Sequence, residues 1–205
     1  MATLPRGLYA ITPDRAGPLL GETAERVLAG GARVLQYRDK GDDAERRLRE
    51  ARMLAALCHR HDALLIVNDD VELAAACGAD GVHLGRDDGD PSIARARLGD
   101  GAVIGISCYD SLELAESAAA AGADYVAFGS FFPSPTKPEA VRASVELLHD
   151  ARRRLALPIV AIGGITPENG PALLAAGAHM LAVISGLFGT ADPTEAARRY
   201  AALFG

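Results

Sequence analysis

Four glycine–alanine pairs, Gly31-Ala32, Gly78-Ala79, Gly122-Ala123 and Gly177-Ala178, recur at spacings of 47, 44 and 55 residues, and each leads into a short apolar run. Glycine at a helix end adopts the left-handed conformation that closes it, so each pair reads as a helix stop followed by a strand. Eight runs rich in branched apolar residues lie along the chain, at 7–12, 34–39, 64–68, 81–84, 103–107, 125–129, 158–163 and 180–185. The pairs precede the second, fourth, sixth and eighth, so the period is a doubled strand–helix unit repeated four times.

Several runs are continuously apolar, as strands covered on both faces of a parallel sheet should be. The stretches between them have helical spacing: Ala44, Leu48, Ala51, Ala55 and Cys58 share one face, as do Val141, Val145, Leu148, Ala151 and Leu155. Asp110-Ser-Leu-Glu113 and Asp192-Pro-Thr-Glu195 predict helix starts capped by Asp110 and Asp192, the second with proline at its first helical position. Eight units of similar length predict an α/β fold, a single (β/α)8 or TIM barrel over residues 1–205. The rival is a doubly wound open sheet, which usually has fewer strands and a topological reversal.

Hydrophobic residues make up 49% of the chain and charged residues 23%, which excludes disordered and collagen-like classes. A net charge of −6 argues against nucleic acid or an anionic membrane as partner. Cys58, Cys77 and Cys108 are odd in number and lack C-x-x-C spacing, which points to a reduced, cytoplasmic setting rather than a disulfide framework. No stretch approaches the ~18 apolar residues of a membrane span, and the first residues do not resemble a secretory leader.

In such barrels the chemistry gathers at the carboxyl ends of the strands. Gln36-Tyr-Arg-Asp-Lys40 alternates, so Gln36, Arg38 and Lys40 can point to one side as an anion clamp, with Tyr37 and Asp39 opposite. The plainer alternative pairs Arg38 and Lys40 with surface acids such as Asp42 and Asp43. Asn68-Asp69 and Asp87-Asp88 end neighbouring strands, where two carboxylates suit Mg²⁺ beside substrate phosphate, although Asp70 or Asp88 could instead cap a helix. Ser130-Phe-Phe-Pro-Ser-Pro-Thr-Lys137 is a stiff loop carrying hydroxyls and an ammonium. Gly163-Gly164 and Ile184-Ser185-Gly186 lie where barrels often bind a monophosphate, and Thr166-Pro167 predicts a helix start beside them. His83, inside an apolar strand, reads as a packed core histidine, His179 falls at the opposite end of the barrel, and Cys108 has no adjoining base.

In order along the chain, Leu8-Tyr-Ala-Ile-Thr12, Gln36-Tyr-Arg-Asp-Lys40, Asn68-Asp69, Ala79-Asp-Gly-Val-His-Leu-Gly85 with Asp88, Gly105-Ile-Ser107, Gly122-Ala-Asp-Tyr125, Pro133-Ser-Pro-Thr-Lys137 and Ala161-Ile-Gly-Gly-Ile-Thr166 resemble the thiamine phosphate synthase (thiamine-phosphate pyrophosphorylase) family. The resemblance spans essentially the whole chain. It implies an enzyme joining 4-amino-2-methyl-5-hydroxymethylpyrimidine diphosphate to 4-methyl-5-(2-hydroxyethyl)thiazole phosphate, releasing pyrophosphate. By motif, Gln36, Arg38, Lys40, Asn68, Ser107 and Lys137 would bind the pyrimidine diphosphate, with Tyr37 and Asp39 of the same run also among the substrate-binding residues. Asp69 and Asp88 would hold one Mg²⁺ per active site. Ser134, Pro135, Thr136, Gly164, Ile184 and Ser185 would bind the thiazole phosphate. Arg38, Lys40, Ser107 and Lys137 would be catalytic.

Three positions depart from the commonest pattern of that family: Arg86 where glutamine is frequent, Ser134 in place of threonine, and His179 in place of aspartate. The resemblance also leaves two alternatives, a thiazole tautomerase on the same barrel and a phosphate-ligand sensor without catalysis. The expected partners are small-molecule substrates, with neither nucleic acid nor membrane, and a homo-oligomer is compatible with the sequence.

Overall fold

The computed structural model describes residues 4–86, 88–133 and 141–205. Eight strands, β1 (Gly7–Ile11), β2 (Ala32–Tyr37), β3 (Leu64–Asn68), β4 (Gly81–Leu84), β5 (Val103–Tyr109), β6 (Tyr125–Phe128), β7 (Ile159–Ile162) and β8 (Met180–Val183), close into a barrel in sequence order. Every pairing, including β1 with β8, is parallel. This closure rules out the open-sheet rival.

Around the barrel lie α1 (Leu20–Ala29), α2 (Ala44–Arg60), α3 (Val71–Cys77), α4 (Pro91–Leu98), α5 (Leu112–Ala120), α6 (Val145–Arg154), α7 (Gly170–Ala175), α8 (Ser185–Phe188) and α9 (Pro193–Ala201). Strand alternation divides the apolar residues into two cores. Leu8, Leu35, Leu65, Val82 and Ile104 face the helices, while Tyr9, Val34, Ile66, Tyr125 and Met180 fill the barrel interior. All three cysteines are buried, and burial pushes the Cys58 and Cys108 thiols up to about 12. Among the described residues no helix is long and apolar enough to cross a membrane.

The four repeat glycines all have positive φ, at 104° for Gly31, 71° for Gly78, 88° for Gly122 and 114° for Gly177. The helix starts differ in detail from the sequence expectation. Asp192 accepts from the Thr194 and Glu195 amides, with Pro193 opening α9 as predicted. At α5 the cap is Ser111, not Asp110: its hydroxyl accepts from the Leu114 amide and donates to Glu113. Val141 is not helical. Ser144 caps α6 and starts it at Val145, while the Val141 carbonyl accepts from the Ser130 amide. Nor does a helix begin at Thr166-Pro167: Thr166 Oγ1 accepts from the Glu168 and Asn169 amides in a turn, and α7 begins at Gly170. β8 stops at Val183 because Ser185 already belongs to α8.

Candidate active site

The carboxyl ends of the strands surround a cavity of about 420 Å³. Its polar lining includes Gln36 from β2 with Arg38 just after it, Asn68 from β3, Ser107 from β5 and Ser185 after β8. Gly164 and Ile184 line it as well. Asn68 also borders a shallower depression, shared with Lys40, Asp69 and Asp88. The strand ends therefore bring together every predicted site residue that the structure describes, except for the side chains of Tyr37 and Asp39. Ser134, Pro135, Thr136 and Lys137 lie outside the described residues, as does Asp87.

Alternation along β2 explains the exception. The Tyr37 hydroxyl turns outward and donates to Glu50 at 2.6 Å. Both Asp39 carboxylate oxygens accept from Arg46 at 2.9 Å, and this guanidinium holds the Asp39 carboxyl below its ordinary range. The two side chains anchor the strand end to α2, and only the edge of Asp39 borders the shallow depression. Thr12, fully buried, bonds the Arg38 backbone, and Asp14 accepts from the Lys40 amide at 2.8 Å. Arg38 and Lys40 are thus carried on a segment fastened from β1 and from α2. The alternative pairing with Asp42 or Asp43 does not occur; the Lys40 ammonium lies 3.8 Å from Asp69 Oδ2.

The three carboxylates near β3 and β4 have separate tasks. Asp70 caps α3 by accepting from the Leu73 amide at 2.8 Å and pairs with Arg47 at 2.9 Å. Asp69 sits at φ 65°, a left-handed backbone that is uncommon outside glycine and that recurs at functional sites. Its carboxyl meets that of Asp88; burial and this neighbour push it up to about 6, against the pull of Lys40 and Asn68. Asp88 Oδ2 accepts from the Gly85 amide at 2.9 Å and so turns the chain after β4. No group of three or more His, Cys, Asp or Glu suited to a metal occurs among the described residues. Two adjoining carboxylates beside an open depression nevertheless fit Mg²⁺, which commonly takes one or two carboxylates and fills its remaining positions with water and substrate phosphate oxygens.

Across the cavity, Gly163 and Gly164 have φ of 106° and 60°. A Cβ on Gly163 would meet Ser130 Oγ at 2.0 Å, and one on Gly164 would meet the Pro133 carbonyl at 2.3 Å. The amides of Phe131 and Phe132 donate to the carbonyls of Ile162 and Gly163, so the segment after β6 is laced directly to the end of β7. Only glycine permits that approach.

The cavity floor carries no motif that marks it in the sequence. Tyr9, His83 and Tyr125 line it, joined by hydrogen bonds of 2.8 Å between the two phenols and 2.9 Å from Tyr125 Oη to His83 Nδ1. His83 is buried as expected, but it borders the cavity and reaches Ser107 Oγ through Nε2 at 2.8 Å. Burial lowers its pKa to about 4, so the ring is neutral at ordinary pH. The detectable signal was two tyrosines at inward strand positions, since buried hydroxyls need partners. Arg86, one of the three departures, lies over the Tyr109 ring at 5.0 Å, and Tyr109 lines the cavity. His179 Nδ1 accepts from the Ile159 amide at 3.2 Å, at the far end of β7.

Residues 8–187 match the family model described as thiamine monophosphate synthase. A thiamine-phosphate synthase of Thioalkalivibrio sulfidiphilus is 58% identical over 201 residues, covering 97% of this chain and 95% of that protein. One from an Azoarcus species is 58% identical over 200 residues, covering 97% of each. Among solved structures, thiamine phosphate pyrophosphorylase from Pyrococcus furiosus superposes with a TM-score of 0.88 at 34% identity, over 97% of this chain and 95% of that one.

Proposed function

The chain belongs to the thiamine monophosphate synthase family, and from that premise we propose how the mouth of its barrel works. The protein is a transferase that makes thiamine phosphate. Its substrates are the aminopyrimidine methyl diphosphate and the thiazole phosphate. The whole chain acts as one catalytic domain on small molecules in the cytoplasm, with neither nucleic acid nor membrane as partner.

The observation that carries this reading is the pairing of two anion-holding ends on one cavity. At one end Arg38 and Asn68 adjoin the depression of Lys40, Asp69 and Asp88. At the other are Gly164, Ile184 and Ser185. The diphosphate belongs at the first end and the thiazole phosphate at the second. Asp69 and Asp88 would hold Mg²⁺, which when bound supplies positive charge to the departing diphosphate.

The reaction is dissociative. The bond between the pyrimidine methylene carbon and the diphosphate oxygen breaks, and its electron pair leaves with pyrophosphate. The resulting methylene cation is stabilised by the aminopyrimidine ring, and the thiazole nitrogen lone pair closes the new carbon–nitrogen bond. Arg38 and Lys40, together with Lys137, stabilise charge as it builds on the leaving group, while Gln36 and Ser107 hold the pyrimidine. The walls keep the two rings adjacent, which replaces a bimolecular encounter by a positioned one. No step requires a covalent bond to the protein. Ser130, the position where a tautomerase would need a base, is buried and donates to the Phe132 carbonyl at 2.9 Å.

Purified protein given both substrates and Mg²⁺ should form thiamine phosphate and pyrophosphate in equal amounts, and chelation should stop it. Turnover of either substrate alone, or indifference to EDTA, would overturn the mechanism.

A further inference from the structure

Five side chains from five different strands form one unbroken hydrogen-bonded chain through the barrel interior. Gln36 Nε2 donates to Tyr9 Oη at 2.9 Å; Tyr9 Oη lies 2.8 Å from Tyr125 Oη; Tyr125 Oη lies 2.9 Å from His83 Nδ1; and His83 Nε2 lies 2.8 Å from Ser107 Oγ. The three inner members are buried, Tyr9 at 1% exposure, Tyr125 at 0% and His83 at 8%. Both ends, Gln36 and Ser107, line the cavity.

Each inner member has a single proton to give, one per phenol and one on a neutral imidazole. With Gln36 donating to Tyr9, the Tyr9 proton goes to Tyr125, the Tyr125 proton to His83 Nδ1, and the Nε2 proton to Ser107. The hydroxyl proton of Ser107 is then left for the cavity, and Gln36 keeps its carbonyl oxygen as an acceptor beside its second N–H, whereas the reversed amide would offer N–H groups alone. The opposite direction is self-consistent only if all five groups turn together. A mixture leaves a buried hydroxyl proton without an acceptor, which is the costly case.

We propose that this chain is a polarity relay, in which Tyr9 and Tyr125 are positioning residues that make the cavity floor present one acceptor, at Gln36, and one donor, at Ser107. The inference rests on the reading that Gln36 and Ser107 face the pyrimidine. An aminopyrimidine has an amino donor for the first and a ring lone pair for the second. Its oxo counterpart carries an acceptor and a ring N–H in those places, and the relay rejects it because neither end can reverse alone.

Two measurements test this separately. In the resting protein, ¹⁵N spectroscopy of labelled histidine should find His83 protonated at Nε2 and bare at Nδ1, and the Nε2–H form should lose its dominance in Tyr125→Phe. Protonation at Nδ1 in the unaltered protein overturns the relay with no variant needed. In Tyr9→Phe, checked for folding by thermal unfolding, KM for the pyrimidine diphosphate should rise on the order of tenfold. KM for the thiazole phosphate should hold, and inhibition by the oxo analogue should strengthen relative to the amino compound. Equal shifts in both KM values, or unchanged discrimination, would reduce the tyrosines to packing. If the protein fails to join the two substrates while His83 shows the expected tautomer, the proposed function falls and the relay stands. The reverse result removes the relay alone.

Discussion

Thr12 Oγ1 holds the Arg38 peptide from both sides, accepting from its N–H at 2.9 Å and donating to its carbonyl at 3.2 Å. A buried threonine at the end of β1 thus fixes the backbone beneath a cation at the end of β2. Thr12→Val keeps the shape and removes both bonds, leaving the Arg38 amide without its partner. Urea unfolding should show a loss of ~1–3 kcal/mol, and KM for the diphosphate substrate should rise. Unchanged stability and KM together would mean that the Arg38 segment is held by Asp39 and Asp14 alone.

Asp69 and Asp88 meet beside Lys40, with Asp69 facing the Lys40 ammonium. Neutralising either carboxylate, as Asp69→Asn or Asp88→Asn, should raise the Mg²⁺ concentration for half-maximal rate on the order of tenfold or more. Titration of initial rate against Mg²⁺ reads this directly, and an unmoved midpoint would remove the altered residue from the metal site.

Gly164→Ala introduces a methyl group 2.3 Å from the Pro133 carbonyl at a backbone φ of 60°. The conformation alone costs about 1–2 kcal/mol for an L-residue, and the collision with backbone cannot be relieved by a side-chain rotation. The expected result is a higher KM for the thiazole phosphate with a smaller change for the diphosphate, measured by varying each substrate in turn.

His83 is held near pKa 4 by burial, against a pull upward from the Asp88 charge. An unfolded histidine titrates near 6.5. Below that value the unfolded chain takes up a proton that the folded ring refuses. The stability tied to neutral His83 is therefore complete above about pH 6.5 and is lost as pH falls toward about 4, by on the order of 3 kcal/mol in all. Unfolding free energies across this window should fall with acid, and His83→Asn should flatten part of the slope. An equal slope in the variant would assign the loss to the carboxylates.

Lys137 lies outside the described residues, and the role proposed for it rests on the family motif. Lys137→Ala should lower turnover on the order of 100-fold while the thermal unfolding transition stays in place. Unimpaired turnover would take Lys137 away from the leaving group.

The barrel was legible because its punctuation is local: a left-handed glycine before every second strand needs no distant partner to be read. Gln36, Arg38, Lys40, Asp69 and Asp88 were legible because strand ends collect the polar residues of such a fold. The Tyr9–Tyr125 link was not, since it joins residues 116 apart in sequence and only barrel closure brings them together. Val141 continued the helical spacing of α6, but the Ser144 hydroxyl accepts from the Leu147 amide and the helix begins after it. Tyr37 and Asp39 showed the opposite difficulty. They sit within a run proposed to bind substrate, yet alternation turns them toward Glu50 and Arg46.

Gly78 stands at φ 71° with no atom within 4 Å of where a Cβ would lie, whereas Gly164 is walled in by the Pro133 carbonyl and Phe132. Substitution at the first meets backbone strain alone; at the second it meets strain and neighbours together. Tolerance to inherited change is therefore graded from glycine to glycine. Gly78 and Gly122, both with open space where a Cβ would lie, can drift through sequence space at modest cost, and the history of such a chain should be written there before it reaches Gly164.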